Sequence, residues 1–199
     1  MKKTFIFLLG LITLFVFSIE AKSTPPAGMP NIAKTFEQGD FVLNVGFGLG
    51  STLYTGSYYT TKFPPLSASV EYGVMDDIIV EKMTLGVGGI IGYSSSKYRY
   101  SSLNYGWDYS YLTIGLRGAM HYPLVENFDV HAGVILGFNV ISNSYYGDNT
   151  YVGSNSAASS APIAGAYIGG RYYFTPNIAA MAELGYGISV LNIGLAFKF

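Results

Sequence analysis

LNIGLAFKF, residues 191–199, is the stretch that decides the fold of this chain. Its apolar residues share one parity and its small or polar residues share the other. The apolar set is Leu191, Ile193, Leu195, Phe197 and Phe199, and the alternate set is Asn192, Gly194, Ala196 and Lys198. Because successive side chains of a strand point to opposite faces, this pattern predicts a β-strand with one apolar face.

The position of this strand indicates a closed barrel in a membrane. Chain ends are usually polar and frayed, so a soluble domain rarely ends on an apolar strand whose last residue is aromatic. A membrane barrel instead needs its last strand to pair with its first, since an open edge in lipid would leave backbone groups without partners. We therefore expect residues 191–199 to be the closing strand.

The N-terminal region predicts export. Residues 1–21 combine a basic start, an apolar run over residues 5–17 and a small-residue site at Ile19-Glu20-Ala21, which is typical of a secretory signal peptide that is removed. The alternative is a retained anchor, but the apolar run is shorter than the roughly 20 residues of a membrane-spanning helix. Residues 22–38 are rich in proline and predict an irregular periplasmic lead-in, with one short helical turn near residues 33–36.

The composition suits an outer wall that faces lipid. Only 12% of the residues are charged, against 16% aromatic residues, 25 glycines and 18 tyrosines. A water-exposed surface usually carries about 25–35% charged residues. The near-zero net charge gives no footprint for nucleic acid, and the absence of cysteine excludes disulfides and cysteine-ligated metals.

Alternating patterns recur eight times within residues 39–199, and long and short connections between them alternate. The even count allows antiparallel closure, with tight turns at the periplasm and long loops outside the cell. The predicted fold is all-β, an eight-stranded antiparallel up-and-down transmembrane barrel. Its strands are predicted at residues 40–50, 66–74, 82–93, 112–122, 128–140, 164–174, 178–188 and 191–199.

The charged residues decide which face of the barrel is inside. A soluble, lipocalin-like barrel would place its apolar face inward around a ligand. Within the predicted strands, however, the charges fall on the glycine-rich face, and one Arg or Lys facing lipid at mid-membrane costs about 2–4 kcal/mol. The glycine-rich face is therefore predicted to line the lumen. It carries Glu71, Arg117, Asp129, Arg171, Glu183 and Lys198.

Residues 40–199 resemble the eight-stranded outer-membrane barrels, namely the OmpA transmembrane domain and the OmpX-like small barrels. The resemblance lies in the segments 170–177 (GRYYFTPN) and 182–187 (AELGYG) and in the ending Phe197-Lys198-Phe199. It implies an outer-membrane location in contact with lipid and lipopolysaccharide. It also implies that the barrel assembly machinery reads the final strand, through Ile193, Leu195, Phe197 and Phe199. We expect a monomer without the peptidoglycan-binding domain of full-length OmpA.

Four interior charges are predicted in the periplasmic half of four strands: Glu71, Arg117, Arg171 and Glu183. Isolated buried ions are very costly, so these charges are expected to pair. Barrels like that of OmpA hold similar ion-pair networks. One interpretation is a salt-bridge plug that closes the lumen. The other is a gate that rearranges to open a narrow pore.

The two histidines raise the question of catalysis, because some eight-stranded outer-membrane barrels modify lipid A. His121 and His131 flank a short periplasmic turn, whereas such a site belongs near the outer leaflet. The carboxylates nearest to them, Glu126 and Asp129, are assigned to turn and lumen hydrogen bonds. We therefore expect no catalytic residues and no cofactor, and the sequence shows no metal-ligand cluster by spacing.

The long connections are rich in Tyr, Ser, Gly and Asn, which form adaptable binding surfaces. The candidate binding residues are Tyr58, Tyr59, Tyr98, Tyr100, Trp107, Tyr145 and Tyr146. They could bind a protein, a glycan or lipopolysaccharide, or could simply anchor solvated loops at the lipid headgroups. The expected role is structural, with surface interaction through the three long loops. The alternatives are a narrow pore for small solutes and, more remotely, a lipid-modifying enzyme.

Overall fold

A computed structural model describes residues 32–52, 58–99, 106–146 and 157–199. The predicted signal peptide and most of the lead-in lie outside these ranges. The described residues form eight strands: β1 (Phe41–Ser51), β2 (Tyr59–Met75), β3 (Thr84–Arg99), β4 (Gly106–Val125), β5 (Phe128–Tyr146), β6 (Ala157–Thr175), β7 (Ile178–Tyr186) and β8 (Ser189–Lys198).

Each strand pairs antiparallel with its neighbour in sequence, and β8 pairs with β1 to close the barrel. The closing register runs from the pair Val42–Lys198 to the pair Ser51–Ser189. The backbone of Phe199 extends it, because its N–H donates to the Phe41 carbonyl at 2.9 Å. The predicted fold class and the role of the last strand in closure are therefore confirmed. Among the described residues, no helix has the length and hydropathy needed to cross a lipid bilayer.

The predicted orientation of the wall is also confirmed. Val134 and Leu184, which have the parity of the apolar residues in their predicted strands, are 54% and 52% exposed, whereas Glu71 and Arg171 are at most 1% exposed. Apolar side chains thus cover the outside, and the lumen holds the charges. One residue departs from the predicted pattern. The alternation of the predicted strand 178–188 would place Ile188 on the apolar outer face, but it is buried in the lumen because the alternation breaks at the Gly187-Ile188 connection.

Several strands are longer than predicted, and the extra residues lie at the end opposite the short turns. β2 begins at Tyr59 rather than at residue 66, and β4 begins at Gly106 rather than at residue 112. Register shifts in β2 fall around Pro64 and Pro65, which cannot donate to a ladder. The Ser- and Tyr-rich segments were predicted to be loops, but Tyr and Thr favour strands and the ladder continues to satisfy backbone groups.

The described part of the lead-in, residues 32–38, closes the end of the barrel that carries the short turns, together with Gly39 and Asp40. The predicted helical turn near residues 33–36 is absent, and the segment instead bends so that Phe36 enters the lumen and becomes buried. The carbonyl of Phe36 accepts a hydrogen bond from Thr84 Oγ1 at 3.0 Å. Gly73 exchanges backbone bonds with Gly39 and Asp40, and a Cβ at Gly73 would collide with the carbonyl of Glu37.

Candidate functional site

The four predicted interior charges meet in the lumen. Arg117 Nη2 lies 2.7 Å from Glu183 Oε1, and Arg171 Nη2 lies 2.5 Å from Glu71 Oε2. Arg117 also lies 3.9 Å from Glu71, which joins the two pairs. Their strands, β2, β4, β6 and β7, surround the lumen, and all four side chains are buried. Closure of the barrel therefore creates contacts between residues up to 100 positions apart.

Three further residues complete this group, which we call the lumen network. His121 Nδ1 lies 2.8 Å from Asp129 Oδ2, and its Nε2 lies 2.5 Å from Glu71 Oε1. His131 Nε2 lies 3.2 Å from Glu183 Oε1, and its Nδ1 lies 3.5 Å from Asp129 Oδ2. Sequence reasoning correctly placed Asp129 in the lumen but did not connect the histidines with the predicted charges.

The sequence contains a pattern that predicts the pairing of the two histidines. His121 and His131 have inward parity on two strands joined by a tight turn, so the hairpin register sets them opposite each other. Their ring centroids are 5.0 Å apart. The exposed Glu126, by contrast, remains at the turn and outside the network. Parity combined with the register of the hairpin predicts the His–His pair, whereas spacing along the chain does not.

An apolar layer covers the lumen network on its outer side. Tyr167 lies over the guanidinium of Arg117, with 4.4 Å between the ring centroid and Cζ. The layer is completed by the buried residues Ile90, Ala119, Ile135 and Ile188. A cavity of about 30 Å³ lies between this layer and Glu183. That space is large enough to hold a water molecule.

Phe36 covers the network on its periplasmic side. Its ring centroid lies 4.3 Å from that of His121, and the guanidinium of Arg171 lies 5.8 Å from the ring. Tyr173, Val42, Ala179 and Ala196 pack around it. In the lumen, the network therefore lies between an apolar layer and a single aromatic side chain.

The outer half of the lumen is lined by neutral polar groups. Thr113 Oγ1 donates to Asn139 Oδ1 at 2.6 Å, and both side chains are buried. Ser94, Ser96 and Tyr111 are also buried on the outer parts of β3 and β4. This half offers hydroxyl and amide groups rather than ions.

The candidate binding residues lie mostly on strands, so their assignment to loops was wrong. At their outer ends β2, β3, β4 and β5 are longer than predicted. These extensions carry Tyr59, Tyr98, Trp107, Tyr145 and Tyr146. Tyr58 immediately precedes β2, and Tyr100 lies outside the described residues. We call the outer parts of β2, β3, β4 and β5 that carry the described residues the outer strand ends.

Aromatic contacts rigidify the outer strand ends. Tyr59 and Tyr98 have ring centroids 5.0 Å apart, and Trp107 meets Tyr145 edge-on at 5.5 Å. Lys97 Nζ lies 3.7 Å from the ring centroid of Tyr146. Together these contacts form a surface of paired rings on adjacent strands, which we call the platform.

Charge is sparse on this platform. Lys62 Nζ lies 2.5 Å from Asp108 Oδ2 across β2 and β4, which pairs one cation with one acid. Arg99, at the end of β3, is exposed, and Lys97 lies two residues before it on the same strand. Among the residues that the structure describes at this end, Lys97 and Arg99 are therefore the cations available to a ligand.

The residues of the predicted assembly signal lie on the lipid face of β8. Ile193, Leu195 and Phe199 are exposed, and Phe197 is half-buried. The ring of Phe199 lies 6.2 Å from that of Phe41 on the first strand. A recognition factor could therefore reach these side chains from the membrane side, and their role as an assembly signal stays a prediction.

No protein-family model matches the chain, and no curated protein matches it in sequence. Solved structures do match it. A major outer-membrane protein of Thermus thermophilus aligns at 15% identity with a TM-score of 0.57, covering 80% of this chain and 99% of that one. OprG of Pseudomonas aeruginosa aligns at 12% identity with a TM-score of 0.54, covering 82% and 97%.

A third structure is Ail, the attachment invasion locus protein of Yersinia pestis, in complex with the heparin analogue sucrose octasulfate. It aligns at 12% identity with a TM-score of 0.50, covering 81% of this chain and 99% of Ail. These likenesses concern the fold. The fold of the chain is that of an eight-stranded outer-membrane β-barrel, and its closed sheet carries the apolar exterior that such a barrel presents to lipid.

Proposed function

We propose that this protein is a non-conducting outer-membrane barrel that acts through its outer strand ends. The observation that carries the proposal is the filling of the lumen at three successive levels: Phe36, the lumen network, and the apolar layer around Tyr167. A pore would have to pass all three. The binding role then belongs to the end of the barrel where aromatic and cationic side chains are accessible.

The lumen network supports the plug rather than the gate. Arg171 has no exposed surface, and Arg117 is 4% exposed. Removing one partner of a buried ion pair typically costs about 3–5 kcal/mol. Passage of a solute would require several such contacts to separate together, because each carboxylate of the network contacts at least two basic groups.

Catalysis has no support in this arrangement, and we propose that the protein is not an enzyme. His121 has both ring nitrogens within hydrogen-bond distance of carboxylates, and His131 is buried below the layer of Tyr167. A base must reach the group from which it takes a proton. These rings are covered on both sides, so a lipid substrate could not contact them.

The outer strand ends are proposed to bind an anionic glycan. Tyr and Trp provide rigid flat surface at low entropic cost, and such rings suit sugar faces. Lys97 and Arg99 flank Tyr98 along β3 and supply positive charge at the same end of the barrel as the paired rings of Tyr59 and Tyr98. The barrel is proposed to work as a monomer that the assembly machinery recognises through Phe199 and its neighbours on β8.

The test of the plug is single-channel conductance. The chain is refolded, shown to be a barrel by its gel shift on boiling, and inserted in a planar bilayer. We expect no current steps from the folded protein. Discrete steps that change when Glu183 is replaced by Gln would overturn the plug and establish the pore.

The test of the platform is binding of sucrose octasulfate by calorimetry. The double variant K97Q/R99Q is compared with K34Q/K82Q, which removes the same charge at the periplasmic end. We expect at least a tenfold weaker affinity for the first double variant and no change for the second. Equal affinities in both variants, or no binding by the unaltered barrel, would refute the anionic-glycan proposal.

A further inference from the structure

Three potential metal ligands converge inside the barrel. His121, Asp129 and His131 each place one ligand atom within 4.8 Å of the others, and all three side chains are buried. They come from β4 and β5, where His121 and His131 are directly paired and Asp129 lies two residues before His131. This arrangement is rigid, because it is built on two adjacent strands rather than on a loop.

The carboxylate next to Nε2 of each histidine ring determines whether that nitrogen carries a proton. Nε2 of His121 faces Glu71 Oε1 at 2.5 Å, and Nε2 of His131 faces Glu183 Oε1 at 3.2 Å. A carboxylate can only accept when it is ionised, so each Nε2 carries the proton and donates it. In a neutral imidazole the other nitrogen, Nδ1, then presents a lone pair.

Both Nδ1 atoms lie close to the same carboxylate. Asp129 Oδ2 lies 2.8 Å from Nδ1 of His121 and 3.5 Å from Nδ1 of His131. Nδ1 of His131 and Oδ1 of Asp129 have no hydrogen-bond partner among the described residues. Three acceptors thus meet in a buried space without a donor among them, and a metal cation between them would offset their mutual repulsion.

We propose that the lumen network holds a divalent transition-metal ion, with Zn²⁺ as the best fit, bound by Nδ1 of His121, Nδ1 of His131 and the carboxylate of Asp129. Imidazole and carboxylate ligands suit zinc. The carboxylates Glu71 and Glu183 lie behind the two rings. A metal-binding histidine usually donates the N–H of its other ring nitrogen to such a carboxylate, which fixes the tautomer and strengthens the ligand.

The surrounding charges accommodate a cation. With both histidines neutral, three carboxylates face two guanidinium groups, so the network carries one excess negative charge. The positive group nearest the ligands is Arg171, whose Nη1 lies 3.8 Å from Asp129 Oδ2 while its Nη2 is held by Glu71. An ion would approach from the periplasm once Phe36 moves, because that ring is the cover next to His121.

The experiment uses refolded, tag-free barrel that has been stripped with a chelator and shown to be folded by its gel shift. Zinc chloride is titrated by calorimetry, and D129N and H131Q are compared with D108N, which removes the same charge at the outer strand ends. We expect one ion per barrel, at least a tenfold loss of affinity in D129N and H131Q, and no loss in D108N. Binding that these two variants leave unchanged would place the ion elsewhere and overturn the proposal.

A second measurement needs no variant and covers the case in which they fail to fold. Nitrogen-15 NMR of histidine-labelled barrel reports the two ring nitrogens separately. We expect zinc to shift the Nδ1 resonances of both histidines while Nε2 stays protonated. If folded barrel takes up no zinc and one ring proves to be doubly protonated, a proton occupies the space between the three acceptors and the metal proposal is wrong.

Discussion

The two halves of the lumen solve the problem of polar groups in a closed barrel differently. The periplasmic half concentrates ionised groups that neutralise one another, whereas the outer half uses neutral side chains such as Thr113 and Asn139. Buried ions need complete sets of partners, because taking a charge out of water is costly. Neutral hydroxyl and amide groups can lose a partner to water at a lower cost. The comparison contrasts an ion-paired periplasmic half with a neutral outer half.

The largest effect is expected from Arg171→Met. This change removes the guanidinium that lies closest to Glu71 and to Asp129, at a position that has no exposed surface. We expect the free energy of unfolding to fall by about 3–5 kcal/mol, measured by urea titration in lipid vesicles. Arg99→Met, at the exposed outer end, is the control and should stay within about 0.5 kcal/mol. Equal losses of unfolding free energy in the two variants would show that the buried arginine in the lumen contributes no more than the exposed one at the outer end.

A lipid-facing charge should cost slightly less. Leu184→Arg places a cation on the apolar exterior, and we expect a loss of about 2–4 kcal/mol and a low yield of heat-modifiable barrel. Ser159→Arg, on the exposed outer part of β6, should fold like the unaltered protein. A normal yield of folded Leu184→Arg would contradict the assigned orientation of the wall.

The pairing inside the network predicts a partial rescue. Arg117→Met removes the guanidinium that lies 2.7 Å from Glu183, which then keeps only the His131 ring as a partner. Adding Glu183→Gln removes the stranded charge, so the double variant should be more stable than the single variant by about 0.5–3 kcal/mol. Pairing Arg117→Met with Glu71→Gln should rescue less, since that contact is 3.9 Å long. If Glu71→Gln restored the stability of Arg117→Met and Glu183→Gln did not, Glu71 rather than Glu183 would be the main partner of Arg117.

The smallest effect concerns the anchoring of the lead-in at Asp76. Burial opposes ionisation here, but hydrogen bonds from Thr84, Lys34 and the Gln38 N–H outweigh it and lower the pKa of Asp76. A lowered pKa in the folded state stabilises the fold above the unfolded pKa of about 3.9, and this contribution disappears as the pH falls through the folded pKa. We expect the stability difference between the unaltered chain and Asp76→Asn to be present at pH 7 and to vanish in acid. A difference that persists in acid would show that it does not arise from the carboxylate charge.

The sequence predicted the wall of the barrel better than its contents. Period-two alternation depends on local geometry, so residues 191–199 suffice to indicate the closing strand and its faces. The parity of Glu71, Arg117, Arg171 and Glu183 likewise placed them in the lumen. Which arginine pairs with which glutamate depends on strand tilt and stagger around the closed sheet, and these are not written in any single strand.

The failures have identifiable physical causes. Ile188 turned inward because a two-residue connection interrupts the alternation. Tyr59 and Trp107 were assigned to loops because Ser, Gly and Asn surround them, although a neighbouring strand can extend the ladder into such segments. The cluster of His121, Asp129 and His131 was missed because metal-ligand motifs were sought along the chain and not across a hairpin.

The lead-in segment has a consequence for the order of assembly. Its contacts come from distant parts of the chain: Lys198 Nζ donates to the carbonyl of Thr35 at 3.1 Å, Thr84 holds Phe36, and Ala179 and Ala196 pack against the ring. This complete surface exists only after β8 has joined β1. The first described residues of the chain are therefore among the last to find their places, and their docking marks a barrel that has finished closing.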